Sequence, residues 1–224
     1  AFTPEQQRML EEFVDVRGGG LIALGGERAF AEGGWSGTPL ANALPVTLPA
    51  SRPKATFPPF ELTVRPTRAG QSHPATQIAE TEDAAASKWK VLPPLYAVNG
   101  LPETSLKPGA NLLLSGTDPR GGEHVVLAYQ RYGRGKTLAL GVQDSWLWRM
   151  HASMKVDDPT FFNFWQRLGR WLVDGVPDRV MVTASPDRVQ RGEPVTLVAE
   201  VDNEQYRGIN DGRILAHVTA PSGK

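Results

Sequence analysis

The amino-acid sequence predicts an α/β sheet with flanking helices over residues 1–175, followed by a small all-β segment over residues 178–224. Three observations predict it. A helix start is followed closely by a short apolar run ending in two glycines, which is half of an α/β repeat. Strand-length apolar runs separated by turn residues then recur up to Val142. Beyond Gly175 the apolar period changes to two, the mark of antiparallel strands with one solvated face.

The first element is a helix with Thr3 as N-cap, Pro4 at the first helical position and Gln6 placed to close a capping box. Met9, Leu10, Phe13 and Val14 form its apolar stripe, and Gly18-Gly19-Gly20 stops it. Leu21-Ile22-Ala23-Leu24 reads as a strand buried on both faces and ending in a tight turn at Gly25-Gly26. Such a strand normally has neighbours earlier in an α/β repeat, so an N-terminally truncated domain is expected.

From Gly33 to Arg68 the chain is rich in Gly and Pro, with a short helix opened by Thr38-Pro39 and extended pieces near Val46–Leu48 and Glu61–Val64. Thr67 to Lys88 is polar and Ala-rich and reads as a long surface excursion. Order resumes in apolar runs at Trp89, Val91 and Leu92, at Ala110–Leu114, at Val125–Tyr129 and at Thr137–Val142. Turns at Asp118–Gly122 and Gly133–Gly135 make part of this sheet antiparallel. Asp158-Pro159 then caps a helix with Phe161, Trp165, Leu168 and Leu172 on one face and Gly175 as its stop.

After the linker Val176-Pro177-Asp178, alternation picks out Val180, Val182 and Ala184, then Val195, Leu197, Ala199 and Val201, then Ile214, Ala216 and Val218. That is about three strands, where an immunoglobulin-like sandwich needs about seven, so this segment is expected to be a partial domain.

An apolar share of 40% is enough to build a core and argues against a disordered chain. The 24 basic residues balance the 24 acidic ones, so no net field favours nucleic acid, and no apolar run reaches the roughly 20 residues of a membrane span. Without cysteine there is no disulfide, thiolate metal site or thiol nucleophile.

Specific strings add a resemblance. Phe13-Val14 through Gly18–Gly26, Gly33-Gly34-Trp35, Gly37–Leu40 and Leu44-Pro45-Val46 are similar to a bacterial glutamine amidotransferase-like family. So are Gly70 with His73-Pro74, Trp89 with Leu92-Pro93, Arg131–Gly135, Trp146 with Trp148, and Phe164-Trp165 with Trp171-Leu172. The resemblance covers roughly residues 2–175. It implies a class I amidotransferase-like, flavodoxin-like fold, found in large membrane-associated bacterial proteins beside immunoglobulin-like segments. By that analogy the extracytoplasmic side of a membrane is favoured.

In working members of that class the strand-end turn carries a cysteine beside backbone N–H donors. The matching turn here is Leu24-Gly25-Gly26-Glu27, with Gly25 about where the thiol would stand. The late strand that would be followed by the catalytic His and Glu is followed here by Gln143-Asp144-Ser145-Trp146. The expectation is therefore a catalytically inactive module serving binding or assembly.

Candidate ligand-binding residues are Gly25, Gly26, Glu27, Arg28, Trp35, His73, Asp144, Trp146 and Trp148. Glycines at a strand end let a ligand approach the backbone, although a simple turn explains them as well. Glu27, Arg28, His73 and Asp144 are the groups from which an enzyme of another class could draw. For His73 a structural hydrogen bond is the stronger reading. Trp146 and Trp148, two apart, would share one side of an extended segment and could line a peptide or sugar groove.

Gly135-Lys136-Thr137 imitates the end of a phosphate loop, but Gln130 stands where its first Gly belongs, so a hairpin turn is expected. None of Ser36, Ser115 and Ser145 lies in a Gly-x-Ser-x-Gly elbow, and the four histidines lack metal-ligand spacing. No metal and no cofactor is expected. The partner is a protein or a small polar ligand, with no nucleic acid and no membrane contact by this segment itself.

Overall fold

The computed structural model describes residues 2–210 except 57, 187, 191 and 205, together with residues 213, 215, 217 and 219. The chain divides into two compact units, Ala1–Val176 and Pro177–Lys224.

In the first unit, helix α1 (Pro4–Asp15) starts as its sequence dictates. Thr3 Oγ1 accepts from Gln6 N at 3.2 Å while Gln6 Oε1 accepts from Thr3 N at 2.9 Å. Its buried face is Gln7 and Val14, with Leu10 and Phe13 half-buried, whereas Met9 is exposed. The predicted stripe was drawn too wide: Met9 lies about 140° round the helix from Val14, whereas Gln7, seven positions away, lies within about 20°.

Strand β1 (Gly20–Leu24) follows, then α2 (Pro39–Ala43), capped by Thr38 Oγ1. Next come β2 (Phe60–Pro66), α3 (Arg68–Gln71), a 3-10 turn at Pro74–Thr76, α4 (Glu82–Val91) and β3 (Leu95–Ala97). The unit continues through β4 (Asn111–Thr117), β5 (Glu123–Tyr132), β6 (Gly135–Leu140), α5 (Leu147–Met150) and α6 (Thr160–Val173).

The six strands form one mixed sheet in the order β1-β6-β5-β4-β2-β3. Only β1 and β6 pair in parallel; β2–β3, β2–β4, β4–β5 and β5–β6 are antiparallel. The parallel neighbour of β1 thus comes from later in the chain, and β1 forms an edge of the sheet. Of its residues Ala23 alone is buried, which corrects the expectation of a strand enclosed on both faces.

Alternation along β6 decides what covers each face. Leu138 and Leu140 enter a core with Phe164, Leu168 and Leu172 of α6 and Trp89 of α4. Ala139 points the other way, to a second core built from Phe30, Leu44, Val46 and Leu101. Large side chains meet the helices, and small ones let irregular segments approach the opposite face.

Thr67–Lys88 is not a surface excursion. Thr67 caps α3 and Thr81 caps α4, and Ala75, Thr76, Ile78 and Ala85 are buried. A Cβ on Gly70 would run into the Leu113 carbonyl oxygen, so this segment lies directly on β4. Small residues that read as loop composition serve here to bring backbone onto backbone. Trp89 and Val91 belong to α4 rather than to a strand, and Val46–Leu48 makes only a single bridge, Val46 to Leu106.

Asp158 Oδ1 accepts from Thr160 N at 2.9 Å at the start of α6, and Gly175 takes φ +68° after its end. The buried stripe of α6 is Thr160, Phe164, Leu168 and Leu172; Phe161 and Trp165 flank it half-buried.

In the second unit, β7 (Val180–Ser185) and β8 (Thr196–Val201) pair antiparallel from Val180↔Val201 to Ser185↔Thr196. The alternation predicts this pairing but not its burial, since every residue of β7 is exposed. The expected third strand rests on Ile214, Ala216 and Val218, which lie outside the described residues.

Candidate functional site

Because β5 runs against both β4 and β6, and β2 against both β4 and β3, strands β1, β3, β4 and β6 all end on the same edge of the sheet. In open α/β sheets this carboxyl edge is where ligands bind. The turn Gly25–Arg28 leaves β1 there, Val98–Gly100 follows β3, and Gly141–Asp144 follows β6.

Gly25 is held by close packing. Its N–H donates to Leu140 O at 2.7 Å, and a Cβ on it would stand 2.8 Å from Gly141 C and 2.9 Å from Val142 N. Neither atom is the tip of a flexible side chain, so the turn is glycine because the β6 exit lies against it. Gly26 takes φ +154°, which a side chain resists.

Asn99 closes on Gly26. Its Oδ1 accepts from Gly26 N at 2.8 Å, and its Nδ2 donates to Gly26 O at 3.0 Å and to Glu32 Oε2 at 2.8 Å. Glu32 Oε1 accepts from Gly100 N at 3.2 Å, so both carboxyl oxygens are occupied. Asn99 and Glu32 are both buried. Phe30 is fully buried behind them and meets the half-buried Trp35 ring at 5.6 Å between centroids. The Gly26 backbone groups, where an oxyanion-binding turn would present a free N–H, are satisfied internally.

This network was not legible beforehand. Asn99-Gly100 reads as a turn dipeptide and Glu32 as one acid in a glycine-rich stretch, and nothing local pairs residues 67 apart.

Asp144 is buried at the β6 exit. Its Oδ2 accepts from Tyr96 N at 2.8 Å, while Oδ1 is buried with no partner among the described residues. Burial pushes its carboxyl up to about 6, against the opposing pull of the Tyr96 N–H and its own backbone N–H.

His73 lies elsewhere. Its Nδ1 accepts from Ala75 N at 3.2 Å, and its ring packs against Tyr129 and Trp171, 5.1 and 4.8 Å away between centroids. Burial lowers its basicity, with the Lys136 charge adding to the effect. Lys136 pairs with Gly20 at the start of β1, so His73 is associated with the opposite edge from Gly25. It makes the local hydrogen bond that its sequence context suggested, accepting from Ala75 N.

Glu27 and Arg28 are exposed. Among the described residues no hydrogen bond or ion pair joins any two of Glu27, Arg28, His73 and Asp144. The extended platform of Trp146 and Trp148 does not form, because Leu147–Met150 is helical and turns the two rings apart. Trp148 is fully buried, edge-on to Trp89 at 5.3 Å and Phe164 at 5.1 Å, while Trp146 is 49% exposed. Trp35 instead meets Arg28 in a cavity of about 690 Å³ that Phe2, Gln6, Gly33 and Arg52 complete.

A second polar pair lies on the carboxyl edge. His124 Nε2 and Asp118 Oδ2 are 2.9 Å apart, and Asp118 Oδ1 accepts from Arg120 N and Gly122 N at 2.7 and 2.9 Å. Hydrogen bonds from His124 and then from the Gly122 N–H hold the Asp118 carboxyl down to about 2. His124 Nδ1 is buried without a partner among the described residues, so the pair closes the β4–β5 turn and presents no free imidazole nitrogen to solvent.

Among the described residues no group of three His, Cys, Asp or Glu side chains is arranged to hold a metal ion, and no helix is long and apolar enough to cross a membrane.

No protein-family model and no curated protein matches the chain. Its fold is similar to that of cytoplasmic protein STM1381 from Salmonella typhimurium LT2, at a TM-score of 0.53 and 18% identity, over 77% of this chain and 62% of that one. Cytoplasmic protein STM3548 from Salmonella typhimurium is similar at a TM-score of 0.52 and 18% identity, with the same 77% and 62% covered. The chain thus spans 62% of the length of each, and at this identity the likeness is one of fold alone.

Proposed function

We propose that this chain is a catalytically inert module of the class I glutamine amidotransferase-like type, with a binding or assembly role in a bacterial envelope-associated protein. The amidotransferase-like kinship, the immunoglobulin-like nature of the second unit and the association with an envelope all rest on the sequence strings that resemble that family.

One observation carries the inert part of the reading: Asn99 takes up both backbone groups of Gly26 at the turn where the resemblance would put nucleophile and oxyanion donors. Adding a thiol at Gly25 would not restore the site, because the β6 exit occupies the space its Cβ needs.

The reading is tested by incubating the purified chain with glutamine and measuring ammonia. Release no greater than in buffer is expected for the natural chain and for Gly25→Cys. Release by the natural chain that a single substitution at Glu27, Arg28 or Asp144 abolishes would overturn it.

A further inference from the structure

The cavity beside α1 combines features that nothing in the resemblance assigns. Phe2, Gln6, Arg28, Gly33, Trp35 and Arg52 line an open pocket of about 690 Å³, within the range of small-ligand sites. Two of these six residues are cationic and none is acidic. In a chain whose 24 basic and 24 acidic residues cancel, that is a local excess of positive charge.

The two guanidinium groups are differently held. Arg52 Nε donates to Glu32 O at 2.9 Å, which fixes the stem and leaves its terminal nitrogens without partners among the described residues. Gly34, at φ +77°, lies alongside, where a Cβ would make ordinary contact 3.6 Å from the Arg52 guanidinium carbon. Arg28 is exposed and has no hydrogen-bond or ion-pair partner among the described residues. Among the described residues Glu32 forms no ion pair with either, its carboxyl oxygens accepting from Asn99 and Gly100. The Gln6 carbonyl oxygen is likewise committed, to Thr3 N.

Trp35 supplies the apolar element. It packs against the core that contains Phe30, which orients its ring, and its indole N–H has no acceptor among the described residues. Guanidinium groups recognise carboxylate and phosphate by paired hydrogen bonds, and an indole stacks on a flat ring.

We propose that this cavity binds a small ring-bearing anion, Arg28 and Arg52 holding its carboxylate or phosphate and Trp35 its ring. The site does not depend on the amidotransferase-like reading, and a glutaminase result of either sign leaves it standing.

The test is calorimetric titration of the full chain with adenosine 5′-monophosphate and with benzoate, against adenosine and benzyl alcohol as neutral counterparts. At least one anion should bind about tenfold or more tightly than its counterpart, the strength of a charge-assisted hydrogen bond. The anion that binds shows whether phosphate or carboxylate is preferred. Arg28→Ala should weaken it about tenfold at an unchanged melting temperature, its side chain being exposed and without a bonding partner among the described residues, and Arg52→Ala should weaken it about tenfold while also losing the bond to Glu32 O. The ¹H–¹⁵N indole signal lost in Trp35→Phe should be the one that moves on titration.

Absence of binding by both anions at millimolar concentration overturns the proposal. So does equal affinity for a neutral counterpart, undiminished binding by Arg28→Ala and Arg52→Ala, or binding that leaves the Trp35 signal in place.

Discussion

Asn99 holds Gly26 by both of its backbone groups, accepting from the N–H at 2.8 Å and donating to the carbonyl at 3.0 Å. This side-chain imitation of a strand partner ties the segment after β3 to the turn after β1, although the two strands stand at opposite edges of the sheet. It makes the carboxyl edge a closed structure at this point and directs attention to the neighbouring Arg28–Arg52 cavity for binding.

Asn99→Ala would leave the Gly26 N–H and carbonyl and one Glu32 oxygen without their present partner in a buried site. A loss of about 2–4 kcal/mol is expected, each stranded group costing about 1–3 kcal/mol with partial relief by water. Urea denaturation of the two proteins measures it, and a change below about 0.5 kcal/mol would show that the network adds no stability.

Gly25→Ala puts a methyl group against the Gly141–Val142 backbone, 2.8–2.9 Å away. Overpacking against main chain costs about 1–3 kcal/mol. Gly37→Ala is a useful contrast, since its cost is conformational at φ +70° with nothing within 4 Å of the added carbon. Thermal melts should show the larger fall for Gly25→Ala.

Asp144 gives stability a distinct pH dependence. Its folded carboxyl titrates at about 6, above its ordinary 3.8. The folded state therefore holds the proton more tightly than the unfolded state, and folding loses stability as pH rises from about 3.8 to about 6. Asp144→Asn removes this slope. The stability difference between variant and natural chain should move in favour of the variant across that window, by about 1–3 kcal/mol, and stay level above it. A difference independent of pH between 4 and 7 would refute the placement of this carboxyl.

Asp118 works in the opposite sense. Held down to about 2 by His124 and the Gly122 N–H, it stabilises the fold above its ordinary 3.8 and loses that contribution as pH falls toward 2. Carboxyl ¹³C titration by NMR should place its midpoint well below that of exposed aspartates, and His124→Ala should raise it.

Lys88 Nζ and Asp158 Oδ2, 2.5 Å apart, join α4 to the start of α6, and the same aspartate, one residue before the Pro159 N-cap, accepts from Thr160 N. Asp158→Ala should cost about 1–2 kcal/mol, mostly through the lost partner of the Thr160 N–H, and Lys88→Ala less than about 1 kcal/mol. Equal losses would assign the contribution to the ion pair.

Local chemistry made much of this chain readable. Thr3-Pro4-Glu5-Gln6 determined the start of α1, Thr38-Pro39 that of α2 and Asp158-Pro159 that of α6, because caps act within three residues. The runs at Leu112–Leu114, Val125–Ala128 and Leu138–Leu140 determined three strands, since all these residues are buried in the sheet. The absence of cysteine was equally plain, because a missing residue type needs no fold to be seen.

Only the tertiary structure decided what surrounds the Gly25–Gly26 turn. Ala75, Ile78 and Ala85 look like loop composition until Gly70 lets their segment lie on β4. Trp146 and Trp148 look alike in sequence, yet a single helical turn buries one and exposes the other. Asn99 with Glu32, and Arg28 with Arg52, meet across tens of residues. Their pairing depends on which strands are neighbours, and no periodicity or cap records that.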